Sequence, residues 1–242
     1  MSQFHPDRLE VLYEDNHLIA VLKPAGVLVQ GDRSGVPSLM DMTKEYIKSK
    51  YGKPGKVFLG LLHRLDRPVS GVVLFARTSK AASRLSEQWR SRSVKKVYWA
   101  LVHGRMEPPA GTLTSYLKKG PSRVETGFEG ARGVQEATLS HRTLRRSEPH
   151  SLLEIHLHTG RKHQIRVQLA AAGCPIVGDV KYGGTPSRSG PGLCLTARSL
   201  TFIHPTRGEE VTIEAPPPEW ASRFLPATGK PPDTNDTLQR RG

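Results

Sequence analysis

The sequence predicts an α+β fold built on a mainly antiparallel sheet. Three observations lead there. Strand-like segments outnumber helical ones. The two kinds do not alternate in the regular order that a parallel sheet requires. Several of the strand-like runs are apolar enough to build a core.

The elements follow in order. Residues 9–13, the turn Glu14-Asp15-Asn16 and residues 17–22 read as strand, turn, strand. Lys23-Pro24-Ala25-Gly26 breaks the second strand. Ser38, with Asp41 three residues later, can cap a helix. Leu39, Met42, Tyr46 and Ile47 then share one helical face. Residues 72–76 form a short apolar strand, and Thr78 can cap a helix carrying Ala81, Leu85 and Trp89 on one side. Residues 95–102 alternate, with Val97, Trp99 and Leu101 on one face and Lys96, Tyr98 and Ala100 on the other. The stretch 104–133 is rich in Gly, Pro and charge and reads as loops around one weak strand. Residues 136–144 and 152–158 suggest paired strands, and 163–172 a short helix stopped by Gly173 and Pro175. Residues 193–195, 200–203 and 209–214 add further strands. One domain is expected over residues 1–227, followed by a disordered tail over 228–242.

Composition narrows the function. Lys and Arg outnumber Asp and Glu by 36 to 22, a formal charge of +14 in 242 residues. That surplus favours an anionic partner, and nucleic acid best of all, because Lys and Arg displace phosphate counterions. A basic amphipathic helix for a membrane surface is not evident. No run approaches the ~18 apolar residues of a membrane helix. The start, MSQFHPDRLE, lacks the pattern of a secretory signal. Two cysteines make neither a disulfide scaffold nor a four-cysteine zinc site, so a reducing cytoplasm is the expected compartment.

Two clusters carry candidate chemistry. In His63-Arg64-Leu65-Asp66-Arg67 a carboxylate lies between two arginines. Positive neighbours favour its ionised form, which suits a nucleophile or a base. An ordinary loop ion pair would look the same. In Thr159-Gly160-Arg161-Lys162-His163-Gln164-Ile165-Arg166 basic residues crowd a helix start, where the dipole disfavours positive charge. A nearby anion would relieve this, and so would plain solvation. Gly178-Asp179-Val180-Lys181-Tyr182-Gly183 reads as a structural turn-rich loop. Tyr98, beside Lys96, reads as a half-buried sheet tyrosine from pattern alone. His156, His158 and His163 lack a carboxylate or cysteine to complete a metal set, so no metal is expected. No phosphate-binding loop or dinucleotide fingerprint is present.

Taken together, these segments resemble the RluA-type family of pseudouridine synthases. The matching stretches run in order: LYEDNHLIAVLKPAGVLVQ, HRLDRPVSGVVLFARTSKAA at 63–82, KKVYWALVHG at 95–104, HTGRKHQIRVQLAAAGCPIVGDVKYGG at 158–184 and LCLTARSLTFIHP at 193–205. They span roughly residues 9–218 of the chain. The resemblance implies conversion of selected uridines in RNA, ribosomal or transfer, to pseudouridine. The base leaves C1′ of the ribose, turns and rejoins through C5, without a cofactor. It also implies a long, bent, mostly antiparallel mixed sheet with flanking helices and a central cleft.

The same resemblance assigns roles. Asp66 is the essential carboxylate, attacking C1′ or removing the C2′ proton. Arg64 fills the space left by the flipped uridine. Tyr98 stacks on the target base and assists proton removal at C5. Arg166 pairs with Asp66, which would supply the anion at the basic helix start. His63, Arg67, Lys96, Arg161 and His163, in or beside the motifs, are expected to contact RNA. Flipping a base costs a few kcal/mol, and stacking on an aromatic ring returns roughly 1–3 kcal/mol.

This chain departs from the family pattern at Arg67-Pro68-Val69, where relatives often have Lys-x-Thr, and at Thr196, where they often have His. An added N-terminal RNA-binding domain is expected to be absent, since the catalytic pattern starts by residue 9. A monomer is expected. Two other readings compete. A non-catalytic RNA-binding protein would be expected to have lost Asp66, Tyr98 or Arg166, and all three are present. A nuclease or glycosidase would want a second acid or a metal near Asp66, and the local sequence offers no such acid.

Overall fold

The computed structural model describes residues 9–186 and 192–224. Within them the chain forms, in order, β1 (Val11–Glu14), β2 (Leu18–Lys23), α1 (Leu39–Lys50), β3 (Gly60–Leu61), β4 (Ser70–Ala76), α2 (Ser79–Arg90), β5 (Lys95–His103), β6 (Ala110–Lys119), β7 (Val124–Gly127), β8 (Val134–Ser147), β9 (His150–Leu157), α3 (Gln164–Ala171), β10 (Leu195–Ile203) and β11 (Glu210–Glu214). The α+β class is the predicted one, with mixed but mostly antiparallel pairing. The chain divides into two compact units. The first holds the residues up to Tyr98 together with Thr196–Ala215, and the second holds Trp99–Leu195 with the residues from Pro216. The expected tail over 228–242 lies outside the described residues.

In the first unit the strand order is β1-β2-β4-β10, with β11 on β10 and β3 on β4. β2 and β4 pair antiparallel from Leu18↔Ala76 to Lys23↔Gly71. Both are near-continuous apolar runs, as befits strands covered on both faces. Leu18, Ala20, Val72, Leu74 and Ala76 pack with Ala81 and Leu85 of α2 and with Leu200, Phe202 and Ile213 of β10 and β11. The helix starts were legible. Ser38 and Asp41 form a reciprocal capping box on α1, and the Thr78 hydroxyl accepts from the Ala81 amide at 3.2 Å on α2.

β4 meets β10 in parallel, with Ser70 opposite Thr196 and Gly71 opposite Ala197. Gly71 has φ +119°, and a Cβ there would stand 2.2 Å from the Ala197 carbonyl oxygen. Only glycine lets these strands approach so closely.

In the second unit the order is β5-β9-β8-β6-β7. This corrects the expectation of loops around one weak strand over 104–133, where two strands, β6 and β7, are formed. β6 is ten residues long and pairs with β8 on one side and β7 on the other. Its sequence, AGTLTSYLKK, is mostly polar on one face, so no apolar run announced it. The expected strand over 200–203 is the end of a longer one, β10, which begins at Leu195, the last residue of the strand expected over 193–195.

α3 is buried along Gln164–Leu169, and two glutamines one turn apart sew it to the strands. The Gln164 amide donates to the Thr138 carbonyl (3.1 Å), and Gln168 donates to those of Leu113 and Ala137 (3.0 Å each). Among the described residues no helix is long and apolar enough to cross a membrane.

Candidate active site

In the first unit, Asp66 opens a tight turn whose Val69 amide returns to the Asp66 carbonyl at 3.0 Å. That turn is stapled to the segment ending β2. The Gly26 amide donates to the Arg67 carbonyl (2.8 Å), and Arg67 Nε donates back to the Gly26 carbonyl (2.9 Å).

Lys23 completes the staple from beneath. It is fully buried, and its Nζ donates to the carbonyls of Val69 (2.6 Å), Arg67 (3.0 Å) and Pro24 (3.0 Å). An ammonium has three donors, so all are used. Burial pushes the Lys23 pKa down to about 7; the charge of Asp66 opposes the shift and that of Arg67 adds to it. Lys23 was not among the residues singled out from sequence. A lysine closing an otherwise apolar, buried strand run was the available signal.

Asp66 is half-buried, and its charge is felt at Tyr98 as well as at Lys23. Burial first, and then Asp66, raise the Tyr98 pKa well above the ordinary phenol value. Tyr98 therefore carries its proton at any working pH. Ser70, just beyond the turn, donates its hydroxyl to the Thr196 hydroxyl oxygen across β4 and β10 at 3.0 Å. The departure from the family pattern at Thr196 is thus a hydroxyl matched to a hydroxyl.

The other first-unit candidates separate by position. Arg64 and Arg67 are exposed at the turn. His63 is structural in its contacts. Its Nε2 accepts the Leu74 amide at 3.0 Å, and its ring stacks on Trp89 with centroids 5.1 Å apart. Burial, with the charge of Lys96 adding, pushes its pKa down to about 4, which agrees with an accepting, neutral Nε2. Lys96 is half-buried, and its pKa is lowered by burial and then by Arg92.

In the second unit, Arg166 lies in the first turn of α3 with its side chain only 8% exposed. Its guanidinium grips Asp179 by two bonds of 2.7 Å, Nε to Oδ2 and Nη2 to Oδ1. The Asp179 side chain is 1% exposed. Asp179, in the loop read from sequence as structural, thus supplies an anion at this helix start and clasps the arginine. Asp66 and Arg166 belong to different units.

Tyr182, from the same loop, lies under the Arg166 guanidinium at 5.0 Å. Its hydroxyl accepts from the Val124 amide (3.0 Å) and hydrogen-bonds His163 Nδ1 (2.8 Å). His163 holds a left-handed backbone (φ +53°) at the cap of α3. Arg161 Nε donates to the Glu136 carbonyl at 3.0 Å. His156 and His158 meet Glu154 and Ser140 respectively. Among the described residues no group of three or more His, Cys, Asp or Glu side chains is placed to hold a metal.

Comparison with known proteins agrees with this architecture. Residues 17–171 match the family model described as RNA pseudouridylate synthase. A dual-specificity RNA pseudouridine synthase RluA of Haemophilus influenzae is 34% identical over 213 residues, covering 86% of this chain and 92% of the relative. A ribosomal large subunit pseudouridine synthase D of Xylella fastidiosa is 35% identical over 238 residues, covering 90% of this chain and 69% of the relative. Among solved structures, human RNA pseudouridylate synthase domain containing 4 superposes with a TM-score of 0.74 at 26% identity, over 87% of this chain and 89% of that one. With the HRLD turn, the strand carrying Tyr98 and the HQIR helix all in place, the chain belongs to the RluA-type family of RNA pseudouridine synthases.

Proposed function

We propose that this RNA pseudouridine synthase works through Asp66, with Tyr98 and Arg166 as its catalytic partners. The observation that carries the reading is the stapled Asp66 turn. Its backbone is tied to Lys23 and Gly26, and it presents a half-buried carboxylate whose charge reaches Tyr98. A carboxylate so held is poised against one substrate atom. It acts on the ribose as a nucleophile at C1′ or as a base at C2′. Either way the C1′–N1 bond breaks, a C1′–C5 bond forms, and the C5 proton is replaced by one on N1. The isomerisation balances without a co-reactant.

Tyr98 offers its ring to the flipped base. Because its hydroxyl stays protonated, it serves C5 as a relay rather than as a resting base: it takes the C5 proton as it passes its own to solvent water, from which N1 is protonated. Arg166 provides fixed positive charge, and the exposed Arg64 and Arg67 at the turn hold the RNA. His63 and His163 act behind this surface by fixing strand β4 and the start of α3. The substrate is ribosomal or transfer RNA. The two buried, free cysteines suit a reducing cytoplasm.

The test is Asp66→Asn, which keeps shape and removes charge. Pseudouridine formation is expected to fall to background while RNA affinity changes less than about tenfold. Substantial product from the pure variant would overturn the role of Asp66.

A further inference from the structure

We propose that Asp179 is a positioning residue for the isomerisation, its carboxylate setting the direction in which Arg166 offers its remaining donors. The inference rests on the reading of Arg166 as a catalytic partner.

The guanidinium is a planar fork of five N–H donors. Asp179 takes the edge formed by Nε and Nη2, at 2.7 Å for each bond. With that edge fixed, the donors on Nη1 project in one plane and one direction. The face is fixed as well. The Tyr182 ring lies 5.0 Å from the guanidinium carbon, and its hydroxyl is tied to the Val124 amide and to His163. A single loop, residues 178–184, thus supplies both the edge clamp and the face clamp.

That loop is itself held. The Asp179 amide donates to the Ile176 carbonyl (3.0 Å), and its carbonyl accepts from the amides of Tyr182 (3.0 Å) and Gly184 (2.8 Å). A Cβ at Gly184 would stand 2.1 Å from the Ile176 carbonyl oxygen, so only glycine closes the loop in this way.

Stability alone accounts poorly for the pair. Both side chains are nearly out of water, and a buried ion pair is often no more stabilising than apolar residues of the same volume. What it gives that an apolar pair does not is a cation of fixed orientation. In a reaction that works through a precisely held carboxylate, a small misplacement of its cationic partner can cost about a hundredfold in rate.

The experiment is a double-mutant cycle in the full chain, read by single-turnover pseudouridine formation alongside thermal melting. Asp179→Asn should lower the turnover rate roughly 10- to 100-fold while leaving the KM for RNA within about threefold. In an Arg166→Lys background, which has lost the fork, the same change should cost less than about threefold, because residues that act as a unit are not additive.

Additive effects, or a normal rate in folded Asp179→Asn, would overturn the positioning role and leave the reading of Arg166 intact. A normal rate in Arg166→Lys would instead overturn the catalytic reading of Arg166, and this inference with it. A loss of melting temperature without the kinetic coupling marks a purely structural pair and also overturns it. Should Asp179→Asn not fold, Asp179→Glu keeps the charge and shifts the clamp by one methylene. The same coupling to Arg166 is expected there, and its absence refutes the proposal.

Discussion

Replacing Lys23 with Met isolates what the staple under Asp66 is worth. Methionine matches the length and burial of the lysine stem but donates nothing. Three carbonyls lose a donor: those of Pro24, Arg67 and Val69. The Arg67 carbonyl keeps the Gly26 amide at 2.8 Å, so the loss falls on the other two. A buried acceptor that loses its partner costs about 1–3 kcal/mol. Against this stands relief from burying an ammonium, whose cost is visible in the pKa pushed down to about 7. The net expectation is a destabilisation of about 2–4 kcal/mol. For a chain of this size that lowers the melting temperature by roughly 4–16 °C. The Asp66 turn also loses its floor, so single-turnover pseudouridine formation should fall by about tenfold or more even in fully folded protein. Calorimetry and a tritium-release assay on RNA containing 5-tritiated uridine read the two effects separately. A melting temperature within about 2 °C of wild type, with a rate within about twofold, would refute the reasoning, because it would mean the three bonds do not set the position of the turn.

Two further outcomes are expected. Tyr98→Phe keeps the ring and should bind RNA and act on the glycosidic bond, yet release little tritium from C5; near-normal release would reduce Tyr98 to a stacking platform. His63 has its pKa pushed down to about 4, so between the ordinary histidine value of about 6.5 and 4 the unfolded chain binds the extra proton. The stability it contributes is then present above about pH 6.5 and lost as the pH falls towards 4. His63→Gln, which keeps an acceptor for the Leu74 amide and does not titrate, should flatten the fall of melting temperature across that window. Parallel curves for the two proteins would assign the effect to another group.

The sequence was legible where local physics decides. The capping residues Ser38 and Thr78 start helices as expected, and the apolar runs became β2 and β4. It was opaque where a residue's partner is distant in the chain. β6 is polar, and its stretch reads as no more than one weak strand among loops, because its stability comes from pairing on both edges with β7 and β8. Lys23 reaches carbonyls more than forty residues away, and Asp179 meets Arg166 from a loop whose glycines and charges are those of any surface turn. His63 shows the converse. Its place in the HRLD motif suggests RNA contact, while its ring nitrogen is taken up by the strand it adjoins. Of the candidate site, the motif residues could be named from sequence, but the groups that hold them could not.

The glycine at position 71 has a practical consequence for saturation mutagenesis of this enzyme. It lies five residues past Asp66, and any side chain would run into the Ala197 backbone. Every substitution there should score as inactive, as every substitution of Asp66 should. A map of intolerant positions would merge the two into one hot region and credit Gly71 with chemistry. Abundance measured in the same library separates them: Gly71 variants should vanish from the soluble pool, whereas Asp66→Asn should stay in it at full level and be silent.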